Sequence, residues 1–135
     1  MEVISLHGTD DHLYELVAPL VMSPEVLCYN NNYPFKTTPL HTWYICMING
    51  ATAGFMPIKE TTRGLYLDNY YIRDDNHDIL EVLIAHVLSV TDKPITVLSH
   101  KRHTEVFRHY GFIISTVFAQ YNKMQRTIAK GGYDQ

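Results

Sequence analysis

The chain has 135 residues, 46% of them hydrophobic and 19% charged, with a formal net charge of −3. That length supports one sizeable core and not two, and no apolar run reaches the roughly 18 residues that a membrane-spanning helix needs. One domain over residues 1–130 with a short tail at 131–135 is expected, and the acidic start MEVISLHGTDD, which lacks the pattern of a secretory leader, points to a cytoplasmic protein with no membrane segment.

In chain order, residues 3–6 form an apolar run closed by the turn signal His7-Gly8-Thr9 and read as a first strand. Asp10 or Asp11 can cap the helix that follows, where Leu13, Leu16, Val17 and Leu20 recur at helical spacing until Pro24. A second short helix starts at Pro24 and fades at Asn30-Asn31-Asn32, and residues 29–40, rich in Asn, Pro and Thr, read as a loop. Residues 42–48 and 52–59 flank Asn49-Gly50, a hairpin signal because both central positions of a type I′ turn need positive φ. After a turn at Thr61-Thr62-Arg63-Gly64, residues 65–72 (LYLDNYYI) read as a third antiparallel strand. Residues 76–90 place Ile79, Val82, Leu83, Ala85, His86 and Val90 at helical spacing. Residues 95–98 are apolar enough for a central buried strand. A short helix over 104–110 ends at Gly111, a suitable residue just past a helix. Residues 112–120 and 123–128 finish as strands around Tyr121-Asn122. The order β-α-α-β-β-β-α-β-α-β-β predicts an α+β fold, an α/β sandwich with a single mixed, mostly antiparallel sheet flanked by helices.

The charges segregate. Residues 1–92 carry four Lys or Arg against twelve acids, and residues 93–130 carry seven against Glu105 alone. A basic final third either attracts phosphate, on a cofactor or a nucleic acid, or is a solvated surface. Without an aromatic ladder among the basic residues, nucleic acid is the weaker reading. Cys28 and Cys46 have apolar neighbours and no CxxC spacing, so both are expected to be buried free thiols. His100 and His103 stand three apart, as two ligands on one helical face would, but no nearby Cys or matched acid completes a metal set. With Lys101-Arg102 they can instead meet a phosphate. No G-x-S-x-G, Walker loop or dinucleotide fingerprint is present.

The element order, together with the ending Val106-Phe107-Arg108-His109-Tyr110-Gly111-Phe112, resembles the GCN5-related N-acetyltransferase (GNAT) superfamily. In that family the last helix commonly reads F-Y-x-x-x-G-F, with an Asn seven residues before the Tyr, and the fourth strand leads into a pyrophosphate loop of pattern [QR]-x-x-G-x-[GA]. The likeness of element order spans nearly the whole chain, and the sequence match is confined to these two motifs. The resemblance implies a GNAT-like sheet, splayed between its fourth and fifth strands to hold the pantetheine arm of acetyl-CoA like an added strand. It also implies direct attack of an amine on the thioester.

Carried over residue by residue, Arg73 takes the [QR] position, and Asn76 and Asp78 stand where the loop glycines would be. Ile72, Arg73, Asn76, His77 and Asp78 are therefore the cofactor-binding candidates, with Phe107 at the position of the family's Tyr. Glycines there let backbone N–H groups approach the pyrophosphate. A carboxylate a few ångströms from it adds repulsion of about 1 kcal/mol per charge pair in water, and Asp74 and Asp75 add to the acidity, so weakened or absent acetyl-CoA binding and a corner capped by its own side chains are expected. Phe107 has no proton to give a departing thiolate. Tyr110 is the nearby substitute, and Asp68, Tyr70 or His100, which takes the Asn position, are the candidate bases.

Two functions follow from the resemblance. One is an acyl-CoA-dependent N-acyltransferase acting on an unidentified amine. The other is a non-catalytic GNAT-fold module that binds a protein partner or further copies of itself. Small, eroded versions of this fold are familiar in bacteriophage genomes, some as virion components, which would place such a protein in the host cytoplasm or the virion.

Overall fold

A computed structural model describes residues 1–127. The chain runs β1 (Glu2–His7), α1 (Asp11–Val21), α2 (Pro24–Tyr29), β2 (His41–Ile48), β3 (Ala51–Thr61), β4 (Gly64–Leu67), β5 (Tyr71–Ile72), α3 (His77–Val90), β6 (Ile95–His100), α4 (Thr104–His109), β7 (Ile113–Val117) and β8 (Tyr121–Arg126). Single 3-10 turns, Arg73–Asp75 and Lys101–His103, precede α3 and α4. One sheet of eight strands is ordered β1-β2-β3-β4-β6-β8-β7, with β5 paired to β3 off that path. The β4–β6 pair is parallel and the others are antiparallel.

Local chemistry sets the element ends. Asp10 caps α1 by accepting the His12 N–H at 2.8 Å, Ser23 and Pro24 open α2, and Asn76 caps α3 by accepting the Asp78 N–H at 2.9 Å. Asn49 and Gly50 take φ of 51° and 79°, as the hairpin between β2 and β3 requires. Each face of the sheet is closed by a different helix set. Leu13 and Val17 of α1 pack on Trp43, Ile45 and Phe55. Ile79, Leu80, Leu83, Ile84 and Val87 of α3 join Met56, Ile58, Leu67, Val97, Met124 and Phe107 in the larger core. No helix among the described residues is long and apolar enough to cross a membrane.

Four features differ from the sequence reading. The third antiparallel strand is not continuous. Lys59 stands opposite Tyr66 and Phe55 opposite Tyr71, so four steps on β3 face five on its partner, and the extra residue is a bulge at residues 68–70 that divides the strand into β4 and β5. The bulge forms because Asn69 and Tyr70 bury their side chains: Asn69 donates to the Tyr33 and Pro34 carbonyls, and the Tyr70 hydroxyl meets His103. The last hairpin turns at residues 118–120, and Tyr121 and Asn122 lie in β8, where Asn122 is buried and donates to Thr104 Oγ1 at 3.0 Å. Cys28 is exposed, because α2 buries Val26 instead, whereas Cys46 is buried. His100 and His103 occupy a strand end and a 3-10 turn, so they do not share a helical face. Residue 128 of the predicted last strand and the tail from 131 lie outside the described residues.

Candidate active site

The site begins where two strands part. β4 and β6 are paired from Leu65–Ile95 to Leu67–Val97, after which the bulge carries the chain back to β3 as β5. β6 continues beside β8 to His100, opposite Tyr121. A gap therefore opens between β5 and the end of β6. The corner entering α3 forms one side of it, and the turn entering α4 forms the other.

Asp75 bridges that gap. Its carboxylate accepts Arg102 Nε at 2.7 and 2.8 Å, His103 Nε2 at 2.7 Å and the Tyr29 hydroxyl. The Arg102 guanidinium stacks 4.4 Å from the centre of the Tyr29 ring. The Tyr70 hydroxyl lies 2.7 Å from His103 Nδ1 and accepts the His100 backbone N–H at 3.1 Å. A neutral His103 with its proton on Nε2 satisfies every partner: Nε2–H donates to Asp75 and Nδ1 accepts from Tyr70. Burial would raise the Asp75 carboxyl, but hydrogen bonds from Arg102 and Tyr29 and the Arg102 charge hold it below the usual range. Burial lowers His103 against the pull of Asp75 and raises the Tyr70 phenol, so both stay neutral at pH 7.

The corner satisfies itself. Asp74 and Asp75 hold left-handed φ of 56° and 51°, a conformation uncommon outside Gly, Asn and Asp. The Asn76 N–H donates to the Arg73 carbonyl at 3.1 Å while its side chain caps α3. Ile72 is buried with its carbonyl 3.3 Å from the Tyr29 hydroxyl, and Arg73 is half-buried in the 3-10 turn. His77 and Asp78 are exposed on the first turn of α3. Phe107 is a core residue with its ring against Tyr70 and Phe112.

The structure brings together three of the four residues suggested for catalysis, Asp68, Tyr70 and His100. Asp68 and His100 line one cavity of about 190 Å³ with Asn69, Tyr70, Tyr33 and Tyr121. His100 is 6% exposed, and burial, helped by the Arg102 charge, lowers its imidazole to about 4, so it is neutral at pH 7. Tyr110 is elsewhere: its hydroxyl donates to Glu81 of α3 at 3.2 Å. The sequence reading missed Tyr29 and Asn30 altogether and took Asp75 only as added acidity. Its one usable signal was the basic run around Arg102.

Neither a family model nor a curated protein matches the sequence. Solved structures do. ElaA from Escherichia coli superposes with a TM-score of 0.74 at 14% identity, over 93% of this chain and 99% of that one. An acyl-CoA N-acyltransferase from Pseudomonas aeruginosa gives 0.71 at 14% identity, again over 93% and 99%. A GNAT family acetyltransferase from Elizabethkingia anophelis with acetyl-CoA bound gives 0.60 at 10% identity, over 94% and 97%. The chain has the GNAT fold. In GNAT terms, the bulged β4–β5 segment is the fourth strand, β6 is the fifth, and the splay between them is the feature the sequence resemblance led one to expect.

Proposed function

We propose that this protein is an acyl-CoA-dependent N-acyltransferase whose amine acceptor enters the cavity between Asp68 and His100. The observation that carries the reading is that cavity, lined by a carboxylate and a neutral imidazole at the point where β4 and β6 separate. The donors gathered on Asp75, a guanidinium, an imidazole N–H and a hydroxyl, are the groups that bind a phosphate, so the corner fits an anion in exchange for that carboxylate. Arg73, Lys101 and Arg102 would hold the phosphates of the cofactor, which supplies an acyl thioester when bound. Asp68 takes the proton of the amine, and the neutral imidazole of His100 accepts a hydrogen bond that orients it.

The exchange has a limited cost. The side chains of Arg102 and Asp75 are 42% and 34% exposed, and ion pairs with that much solvent contact contribute about 1 kcal/mol or less. Competition by Asp75 thus weakens cofactor binding by about tenfold or less rather than abolishing it.

The same bridge favours a second reading, a non-catalytic module, since the Asp75 cluster is complete without a ligand and Phe107 has no proton to donate. Ile113, Val117 and Phe118, exposed on and just beyond the edge strand β7, suit a protein partner or a second copy. Calorimetric titration with acetyl-CoA at low and moderate salt separates the two. Saturable binding supports the enzyme, whereas no binding at millimolar cofactor removes it and leaves the module.

A further inference from the structure

The segregation of charge along the chain takes a definite shape in three dimensions. Of the six Lys and Arg between residues 93 and 127, three have acidic partners: Lys93 meets Glu60, Arg102 meets Asp75 and Arg108 meets Glu105. Lys123 and Arg126 have none among the described residues, and both line one groove with Arg63 and Tyr66. No carboxylate is among the described residues that line it. Arg126 Nε donates to the Tyr110 carbonyl at 2.8 Å, which anchors that side chain.

The groove opens on the sheet face that α3 does not cover. In β6, Ile95 and Val97 are buried in the α3 core, so Thr96 and Leu98 point the other way. Tyr66 stands opposite both Thr96 and Lys59, and Lys123 opposite Leu98, which puts Lys59, Tyr66 and Lys123 on this second face. There α1 packs over Trp43, Ile45 and Phe55, towards the β2 edge, and Lys59, Tyr66 and Lys123 stay partly exposed. Lys59 also has no acidic partner among the described residues. Asp68 is the acid nearby: with Tyr33 and Tyr121 it is close enough to Tyr66 to raise the phenol further, on top of its burial. The Tyr121 ring lies 4.9 Å from that of Phe118. The fold thus gathers rings that are scattered in the sequence beside cations that are scattered too.

We propose that this face binds single-stranded nucleic acid, with backbone phosphates on Lys59, Arg63 and Lys123 and a base stacked on Tyr66. Cations attract the phosphate backbone, and an aromatic ring among them takes a base of any sequence, because every base has a π-face. Asp68 sets the direction. It repels phosphate from the tyrosine end, so the backbone keeps to the Arg63 end and the bases lie towards the rings. A duplex, whose bases are stacked on one another, cannot reach Tyr66 in this way. The groove lies at the start of β4 and β6 and the splay at their ends, so the surface does not depend on the acyltransferase reading.

The test is fluorescence anisotropy of a labelled oligothymidylate of about 12 nucleotides titrated with the full chain. Binding is expected to be saturable and to weaken about 16-fold between about 50 and about 200 mM salt, because three phosphate contacts on a single strand give a slope of about −2. Lys59→Gln combined with Lys123→Gln should flatten that slope to about −0.7, and Tyr66→Leu should weaken binding about fivefold or more at fixed salt. An oligomer that does not bind, or variants that bind it as wild type does, overturns the proposal. So does a duplex that binds as well as the single strand, or inorganic tripolyphosphate that competes as well as unlabelled oligomer, since either leaves Tyr66 no role. Melting curves check that the variants fold; if Tyr66→Leu does not, the duplex and tripolyphosphate comparisons on wild type decide. Acetyl-CoA should leave the complex intact, whereas displacement would move the oligomer to the Arg102 corner and refute this location. Oligomer bound without acetyl-CoA sinks the enzyme and spares this surface, and acetyl-CoA bound without oligomer does the reverse.

Discussion

Lowering the pH from 7 to 5 should destabilise this protein through His100. The imidazole lies between the rings of Tyr29, Tyr70 and His103, beside the Arg102 charge, and its value falls from the usual 6.5 to about 4. The unfolded chain takes up a proton near 6.5 that the folded chain refuses until about 4, so the stability contributed by neutral His100 is complete above 6.5 and is lost as pH falls through that window. At about 1.36 kcal/mol per pH unit, the full loss is about 3 kcal/mol, of which about 2 has gone by pH 5. Urea denaturation at pH 7 and pH 5, on wild type and His100→Asn, measures it. The variant has its own cost at pH 7, but only the change between the two pH values bears on the argument, and lowered His103 contributes in the same direction to both proteins. The wild type should lose about 2 kcal/mol more than the variant. An equal loss in the two proteins would refute the assignment of a buried, neutral His100.

Two further substitutions examine the bridge. Asp75→Asn removes the internal anion and should raise acetyl-CoA affinity by up to about tenfold. The same change leaves Arg102, His103 and Tyr29 with a weaker partner and should lower stability by about 1–3 kcal/mol, read from the urea midpoint. A variant that loses stability and still gains no affinity would show that the cleft, and not the carboxylate, excludes the cofactor. Tyr70→Phe deletes the hydroxyl shared by His103 Nδ1 and the His100 N–H at a residue 1% exposed, so it should cost about 1–3 kcal/mol of stability. A thermal midpoint unchanged from wild type would contradict the hydrogen-bonded chain from His100 through Tyr70 and His103 to Asp75.

Much of the fold was legible before any coordinates, because its signals are local. Asp10 and Asn76 cap helices through side-chain oxygens two residues from the N–H they accept, Asn49-Gly50 adopts the positive φ of its turn, and the apolar spacing in α1 and α3 marks the buried faces. The strand break at residues 68–70 was not read from the sequence: the poor strand formers Asp68-Asn69 mark its place, but the aromatic and aliphatic residues on both sides carry the segment as one strand. What splits it is the burial of Asn69 under the 33–34 carbonyls and of Tyr70 beneath His103. The candidate site divides the same way. Asp68 and His100 were named from a family resemblance, while their meeting in one cavity depends on the bulge and on the parallel pairing of β4 with β6.

Asp75 marks the limit most clearly. In the sequence it is one of several acids at a helix start, where a negative charge suits the helix dipole and repels a phosphate. In the folded chain its carboxylate faces Arg102, 27 residues away, and the Tyr29 hydroxyl, 46 residues away, so its charge attracts across the splay. Sequence alone determined the helices, the first hairpin, their caps and the segregation of charge, because those follow from contacts within a few residues. Only the tertiary structure decided which charge meets which, because strand order and the bulge bring distant parts of the chain within hydrogen-bonding distance.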